Sequence, residues 1–157
     1  MRITLISVGR IAEPSIRDVC AGYGEKIERY ADFHSRVVRE ERISAHGKRD
    51  YILQQEGRRI REQIPSSAWV ITLDERGALL TSAGFARRLQ EWNQNGRKEL
   101  AFIIGGPYGL EKRLKEEADF CLSLSNMTLA HGLAQVLLLE QIYRAFTILR
   151  GEPYHKS

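Results

Sequence analysis

Hydrophobic residues along this chain follow two recurring patterns. Short apolar runs bounded by polar or glycine-containing turns are typical of buried strands, and longer amphipathic stretches repeat with helical spacing. The short runs predict strands at residues 2–8, 35–40, 68–73, 100–104 and 120–124. The amphipathic stretches predict helices at residues 14–31, 49–64, 82–95, 111–118 and 131–149.

Residues that start and stop helices support these bounds. Pro14 stands where a first helical turn tolerates proline, and Pro65 ends the second helix because proline cannot continue one. Ser82 is expected to cap the third helix, with Gly96 in the left-handed position after its end. Residues 74–77 (DERG) are expected to form a loop after the third strand.

Strands that alternate with helices predict an α/β fold, a parallel sheet with helices on both faces, in one domain spanning residues 1–157. Such sheets bind ligands at the carboxyl ends of their strands. The loops expected there are residues 73–77, 105–109 and 124–129, and Gly105-Gly106-Pro107 allows close approach of the backbone to a ligand or simply makes a turn. A dinucleotide-binding glycine motif is missing after the first strand, and the second glycine-rich turn lacks the Gly-Lys-Ser/Thr ending of a phosphate-binding loop.

The last helix is apolar on nearly every side. Leu137 and Ile148 fall opposite the main apolar arc, among the polar residues Glu140, Gln141, Arg144 and Thr147. A helix packed on one sheet needs only one apolar stripe. We therefore expect a homodimer that buries the second side, the alternative being that neighbouring elements of the same chain cover it.

Composition narrows the class of protein. With 43% hydrophobic and 28% charged residues, the chain reads as a soluble globular domain, and its net charge of +4 permits nucleic-acid binding without requiring it. No segment approaches the ~20 apolar residues of a membrane span. Cys20 and Cys121 show no metal spacing, and His34 and His46 have no partners that define a metal site. We expect a cytoplasmic protein with reduced core thiols, surface histidines and no bound metal.

A set of ordered motifs in the second half of the chain resembles a known family. The motifs are LDERG (73–77), SAGFA (82–86), IGGPYGL (104–110), LSLSNMT (122–128) with His131, LLLEQIYRA (137–145) and PYHK (153–156). Each is weak alone, but the ordered set is similar to the RlmH family, the pseudouridine-N3 methyltransferases of large-subunit ribosomal RNA in the SPOUT class. The resemblance covers essentially the whole chain.

The resemblance implies a SPOUT-type α/β fold with a deep C-terminal trefoil knot, a homodimer, and S-adenosylmethionine as cofactor. It also implies a 23S ribosomal RNA substrate, methylated on the assembled ribosome in the cytoplasm. Leu73 and Gly105 are the first two expected cofactor contacts. The third loop supplies the others, which are Leu124, Ser125, Asn126, Met127, Thr128 and Leu129.

The resemblance also singles out residues for chemistry and RNA binding. His155 is the first candidate for an acid/base or RNA-contact role. Tyr154 is expected to stack on the target base or to form a hydrogen bond with it. Glu140 and Arg144 either orient the base or tail, or form an ordinary surface ion pair. His131 is expected to cap the last helix rather than touch substrate. Candidate phosphate contacts are Arg39, Lys48, Arg49 and Lys156.

Two positions depart from the family pattern. Gln135 stands where many relatives carry arginine, and Gly132 replaces a bulkier residue or proline. An uncharged amide is easier to bury in the apolar arc of the helix. Two alternatives therefore stay open: a related enzyme that acts on tRNA or another base, and a ribosome-binding relative without methyl transfer, for which Gln135 is the only hint.

Overall fold

Five parallel strands form the centre of the protein. A computed structural model describes residues 1–42 and 47–156. The strands are β1 (Arg2–Val8), β2 (Asp32–Val38), β3 (Trp69–Leu79), β4 (Glu99–Ile104) and β5 (Phe120–Ser123). They lie in the order β2-β1-β4-β3-β5, and every pair is parallel. The predicted parallel sheet is confirmed.

Helices cover both faces of this sheet. They are α1 (Pro14–Ile27), α2 (Arg49–Gln63), α3 (Ser82–Gln94), α4 (Lys112–Glu117) and α5 (His131–Leu149). Side chains alternate along a strand, so Phe102 faces the core shared with α1, α3 and α5, whereas Ile103 faces the smaller core of α2 and α4. The predicted arrangement of helices on both faces is confirmed.

The turn between α1 and β2 lies earlier than the sequence predicts. Helix α1 ends at Ile27 rather than at residue 31, because the backbone N–H groups of Tyr30 and Ala31 both bond to the Ile27 carbonyl and close the helix. Strand β2 then begins at Asp32, opposite Arg2 of β1. Pairing with β1 therefore makes β2 begin earlier than residue 35, where its predicted apolar stretch starts.

The predicted loop at residues 74–77 is part of β3. Leu73 and Ala78 both pair with Leu122 of β5, so the four residues between them form a bulge while the strand continues to Leu79. A Cβ atom at Gly77 would lie 2.7 Å from the Leu122 carbonyl carbon. The segment thus lies against the backbone of β5, which only a residue without a side chain permits.

Helix α3 is capped by Thr81 and not by Ser82. The Thr81 hydroxyl accepts a hydrogen bond of 3.0 Å from the Gly84 N–H, and Ser82 is already helical. The predicted glycine at the other end is confirmed, since Gly96 has a φ of +80° directly after the C-cap.

Helix α5 packs between α1 and α3 on the sheet. These neighbours cover most of its apolar side chains, and Ile148 also packs against the main core. Thr147, placed by periodicity on the polar side, is fully buried, and its hydroxyl bonds to the Arg144 carbonyl. Leu133 stays half exposed. Within the described residues, no helix has the length and hydrophobicity that crossing a membrane requires.

Candidate functional site

The three predicted ligand-binding segments meet at the carboxyl edge of the sheet: the loops that follow β4 and β5, and the bulge within the adjacent strand β3. Two of them are joined by the Thr128 hydroxyl, which donates a 2.8 Å hydrogen bond to Glu75. The His131 ring, directly after the third loop, lies 3.4 Å from the Gly105 carbonyl. The candidate cofactor segments predicted from the sequence therefore converge in space.

The loop after β4 folds tightly back on itself. The Gly109 N–H bonds to the Gly106 carbonyl at 2.9 Å, and Gly109 has a φ of +80°. A Cβ atom at Gly105 would collide with the Gly109 carbonyl and lie 3.0 Å from Leu110 Cγ. Gly105 is therefore required by the turn itself, and the turn leaves a bare strip of backbone at this edge.

The loop after β5 is held by its own serines. Ser123 Oγ donates to the Ser125 carbonyl at 3.0 Å, and Ser125 Oγ accepts from the Met127 N–H at 2.9 Å. Exposure varies along residues 124–129. The side chains partly buried are Leu124, Ser125 and Leu129, whereas those of Asn126, Met127 and Thr128 are exposed. The Met127 side chain is 76% exposed, which is unusual for a large apolar residue.

The bulge after Leu73 is fixed by a charged residue from the other face. Asp74 accepts hydrogen bonds from Lys115 Nζ at 2.8 Å and from the Arg76 N–H at 2.9 Å. Burial by itself raises the pKa of Asp74, but these donors outweigh it and hold the pKa below its ordinary value. Leu73 is thereby positioned at this edge with its side chain packed against the main core and only partly exposed.

A cavity of about 200 Å³ lies beside the third loop, between the start of α3 and the middle of α5. Its polar side is formed by Ser82 and Gln141, where Ser82 Oγ donates a 2.7 Å hydrogen bond to Gln141 Oε1. The remaining lining is mostly apolar and consists of Leu80, Phe85, Leu122, Ser123, Leu124 and Leu137. Leu124 therefore contributes to both the cavity and the candidate cofactor loop.

His131 does not cap α5, contrary to the sequence-based expectation. The N-cap position is Ala130, and no side chain bonds to the first turn. Instead the His131 ring lies between two strand ends: Nε2 is 3.2 Å from the Gly9 carbonyl and 2.9 Å from Gln135 Nε2. Gln135 is buried as predicted, and its amide has a polar partner there.

The tail forms a second cluster on the exposed side of α5. Glu140 Oε1 accepts hydrogen bonds from Arg144, at 2.5 and 3.0 Å, and from the Tyr154 hydroxyl at 3.1 Å. His155 Nδ1 is 3.3 Å from Arg144 Nη1, and the Arg144 guanidinium lies 4.8 Å from the centre of the Tyr154 ring. The structure thus brings all four predicted catalytic residues together.

Electrostatics in this cluster follow from these contacts. The hydrogen bond to Glu140 raises the pKa of Arg144, so the guanidinium remains charged. Burial, together with hydrogen bonds to Tyr23 and Glu140, raises the pKa of the Tyr154 phenol. Tyr154 consequently keeps its proton at neutral pH and is available as a donor.

Tyr30 and Glu152 anchor the tail, and sequence reasoning missed both. The Tyr30 hydroxyl donates a 2.5 Å hydrogen bond to Glu152, which raises the pKa of Tyr30 to about 12. The Tyr30 ring also stacks on Phe146 at 5.4 Å, with the Arg150 guanidinium 4.8 Å from its centre. The two residues lie 122 positions apart in sequence, so no local motif could have paired them.

The two clusters are separate within one chain. Glu140 follows His131 by nine positions in α5, and at ~1.5 Å per residue this corresponds to roughly 14 Å along the helix axis. The helix runs from the carboxyl edge of the sheet toward its amino edge, where Tyr30 precedes β2. The predicted cofactor and catalytic residues therefore form two partial sites.

The predicted RNA contacts Arg39, Lys48, Arg49 and Lys156 are all exposed. Arg49 Nη2 lies 3.5 Å from the Tyr108 carbonyl, in the loop after β4. His34 is exposed next to Asp32, as expected of a surface histidine, and His46 lies outside the described residues.

Both cysteines are free and partly buried. Cys20 packs against the main core, as predicted, and burial raises the pKa of its thiol. Across residues 1–42 and 47–156, no group of three or more His, Cys, Asp or Glu side chains is arranged to hold a metal ion.

Comparison with known proteins shows the family of this chain. Residues 1–155 match the family model described as "Predicted SPOUT methyltransferase". The chain is 44% identical over 155 residues to "Ribosomal RNA large subunit methyltransferase H" of Syntrophotalea carbinolica, covering 99% of each protein. It is 42% identical over 159 residues to the protein of that name from Carboxydothermus hydrogenoformans, covering 99% of this chain and all of the relative.

A solved structure shares the fold at low sequence identity. A methylase family protein from Haemophilus influenzae superposes with a TM-score of 0.52 and 14% identity, covering 99% of this chain and 70% of that one. At that identity the likeness concerns the fold alone. The full-length family match and the close relatives carry the assignment: the chain belongs to the SPOUT methyltransferase family.

Proposed function

We propose that this protein transfers a methyl group from S-adenosylmethionine to N3 of a pseudouridine in large-subunit ribosomal RNA, on the assembled ribosome in the cytoplasm. The observation that carries the proposal is the convergence of the β3 bulge with the loops after β4 and β5 in a chain whose family match spans residues 1–155. The names of the relatives, which are large-subunit ribosomal RNA methyltransferases, support the substrate class.

The three loops fit this cofactor chemically. Leu73 and Leu124 offer partly exposed apolar surface for an adenine ring, and the glycine-rich loop after β4 offers backbone hydrogen-bonding groups. The run Leu124–Leu129 adds further backbone groups and the Ser125 and Thr128 hydroxyls. When bound, the sulfonium supplies an activated methyl group, so the main task of the protein is alignment of the base nitrogen with it.

The tail cluster suits the second requirement, which is removal of the N3 proton. The N3 anion that forms is stabilised by a nearby cation, and Arg144 remains charged beside it. Tyr154 keeps its proton and would donate it to a carbonyl oxygen of the base in place of the Glu140 carboxylate. His155, at 3.3 Å from Arg144, is the group we assign to proton transfer.

A homodimer with a knotted C-terminal region would complete the site. Leu79, Met127 and Leu133 are exposed apolar side chains on β3, the third loop and the start of α5, and burying them against a second copy would be favourable. An antiparallel pairing of α5 helices would place the tail of one copy beside the loops of the other. The close contact between residue 77 and the backbone of β5 is compatible with the trefoil knot of this family.

Binding of RNA would depend on the distributed cations. Arg39, Lys48, Arg49 and Lys156 are exposed and able to reach phosphates, and a dimer doubles their number. A single small domain with scattered cations recognises shape better than sequence. We therefore expect much faster turnover on intact ribosomes than on a naked RNA hairpin.

The cofactor site is tested by calorimetry of S-adenosylmethionine binding to matched glycine variants. Gly105→Ala should abolish measurable binding, because its methyl group collides with the Gly109 carbonyl. Gly22→Ala is the control, since a methyl group at Gly22 has no neighbour within 4 Å. Equal affinity of Gly105→Ala and wild type would contradict the assignment of this loop to the cofactor.

A further inference from the structure

Gln135 is a buried polar residue on an otherwise apolar part of α5. Its side chain is 95% covered, between Leu138 and Leu139 in the helical register. Burying an amide without a partner is costly, so its contacts indicate what it does. Among the described residues, the hydrogen-bond partner of its Nε2 atom is His131 Nε2, one helical turn earlier, at 2.9 Å.

The His131 ring is surrounded by groups that limit where its proton lies. Nδ1 faces the Gly105 carbonyl at 3.4 Å, and Nε2 faces both the Gly9 carbonyl and the Gln135 amide. A carbonyl can only accept, and a neutral imidazole carries one N–H. The ring can therefore donate either to Gly105 or to Gly9, but not to both.

The amide of Gln135 selects between these two states. Its nitrogen is a donor and is directed at Nε2, so Nε2 must offer a lone pair. The proton then lies on Nδ1 and is donated to the Gly105 carbonyl. In this Nδ1–H tautomer the Gly9 carbonyl receives no hydrogen bond from the ring. In the Nε2–H tautomer the ring would donate to Gly9, but two N–H groups would face each other at Nε2 and the Gly105 carbonyl would face a lone pair, so the Nδ1–H tautomer satisfies more of the contacts.

Gly132 makes this arrangement sterically possible. A Cβ atom at position 132 would lie 3.0 Å from Ile16 and 3.3 Å from Ile11. Because Gly132 has no side chain, the start of α5 can pack against the segment after β1. His131 then lies at the ends of β1 and β4. The two departures from the family pattern, Gly132 and Gln135, thus act at the same place.

We propose that Gln135 is a positioning residue for the cofactor site: it holds His131 in the Nδ1–H tautomer, and His131 holds the Gly105 loop. The inference rests on the proposed function, because it takes Gly105 as part of the cofactor site. It also gives Gln135 a role in an active enzyme, although its presence first suggested a non-catalytic relative.

The test combines side-chain NMR of ¹⁵N-histidine protein with calorimetry of S-adenosylmethionine binding. Wild type should show the Nδ1–H tautomer at His131. Gln135→Met, which keeps the length but removes the donor, should shift His131 toward Nε2–H and weaken cofactor affinity about fivefold, as expected for one lost hydrogen bond. Gln135→Arg retains an N–H donor and should preserve both the tautomer and the affinity.

Thr147→Val is the matched control. It also removes a buried polar group from α5, but Thr147 contacts the Arg144 carbonyl and not His131. It should lower stability while leaving the His131 spectrum and the affinity unchanged. A wild-type tautomer and wild-type affinity in Gln135→Met would overturn this inference alone; absence of cofactor binding by the wild type would overturn the proposed function together with it.

Discussion

Glu140 is the hydrogen-bond acceptor shared by Arg144 and Tyr154 in the tail cluster. One carboxylate oxygen accepts from Arg144 and Tyr154, and the other accepts from Gln141 at 2.7 Å. From the sequence, Glu140 and Arg144 were equally compatible with a surface ion pair and with function. The pair exists, and the same carboxylate also holds the tail, so the two interpretations are not exclusive.

Glu56 provides a pH-dependent contribution to stability on the other face of the sheet. Its side chain is 98% buried, accepts from the Glu41 N–H at 3.1 Å, and lies close to Gly106. Burial is the main reason that the pKa of Glu56 is raised. The folded state therefore disfavours the ionised form, and this cost appears as pH rises through the raised pKa.

Glu56→Gln isolates that contribution, because glutamine keeps an acceptor but cannot ionise. We expect its free energy of unfolding, relative to wild type, to increase with pH from about 4.5 toward neutrality. Urea unfolding of both proteins across this range measures the difference. A difference that stays constant or falls with pH would contradict a raised pKa at Glu56.

At the scale of elements, periodicity and parallel pairing account for what the sequence could predict. Helix α5 and strand β1 have the predicted bounds, and the three loops converge because parallel strands end at one edge. The bulge at 74–77 could not be predicted, since it exists only through pairing with Leu122, more than forty residues later. The contact of Tyr30 with Glu152 is non-local for the same reason.

The cap of α3 illustrates a choice between adjacent hydroxyls that only geometry decides. Thr81 has extended backbone angles and reaches the Gly84 N–H, whereas Ser82 bonds to Gln141. Thr81→Ala should lower the free energy of unfolding by about 1 kcal/mol. Thr81→Ser retains the hydroxyl and should lose much less; equal losses in the two variants, measured by urea unfolding, would show that the hydroxyl is not the cap.

At the scale of the whole molecule, the candidate cofactor segments and the tail cluster lie along different stretches of α5. If the tail completes the cofactor site of a second copy, two differently damaged chains should complement each other. One chain lacks residues 152–157, and the other carries Gly105→Ala. An equal mixture should recover about a quarter of wild-type activity, because half of the dimers are mixed and each has one intact site.

Separate tags on the two chains allow purification of the mixed dimer after coexpression. Each damaged homodimer alone is the control and should be inactive. Methyl transfer by the isolated mixed dimer is the measurement. An inactive mixed dimer that is folded and binds S-adenosylmethionine would show that the tail acts on its own chain.

Methylation of ribosomal RNA by this protein can be measured as transfer of labelled methyl from S-adenosylmethionine to intact ribosomes that lack the native modification. We expect label at N3 of a single pseudouridine in large-subunit RNA, and little label on the same RNA segment when it is free of ribosomal protein. Label on another class of RNA, or none on any ribosomal particle despite confirmed cofactor binding, would contradict it.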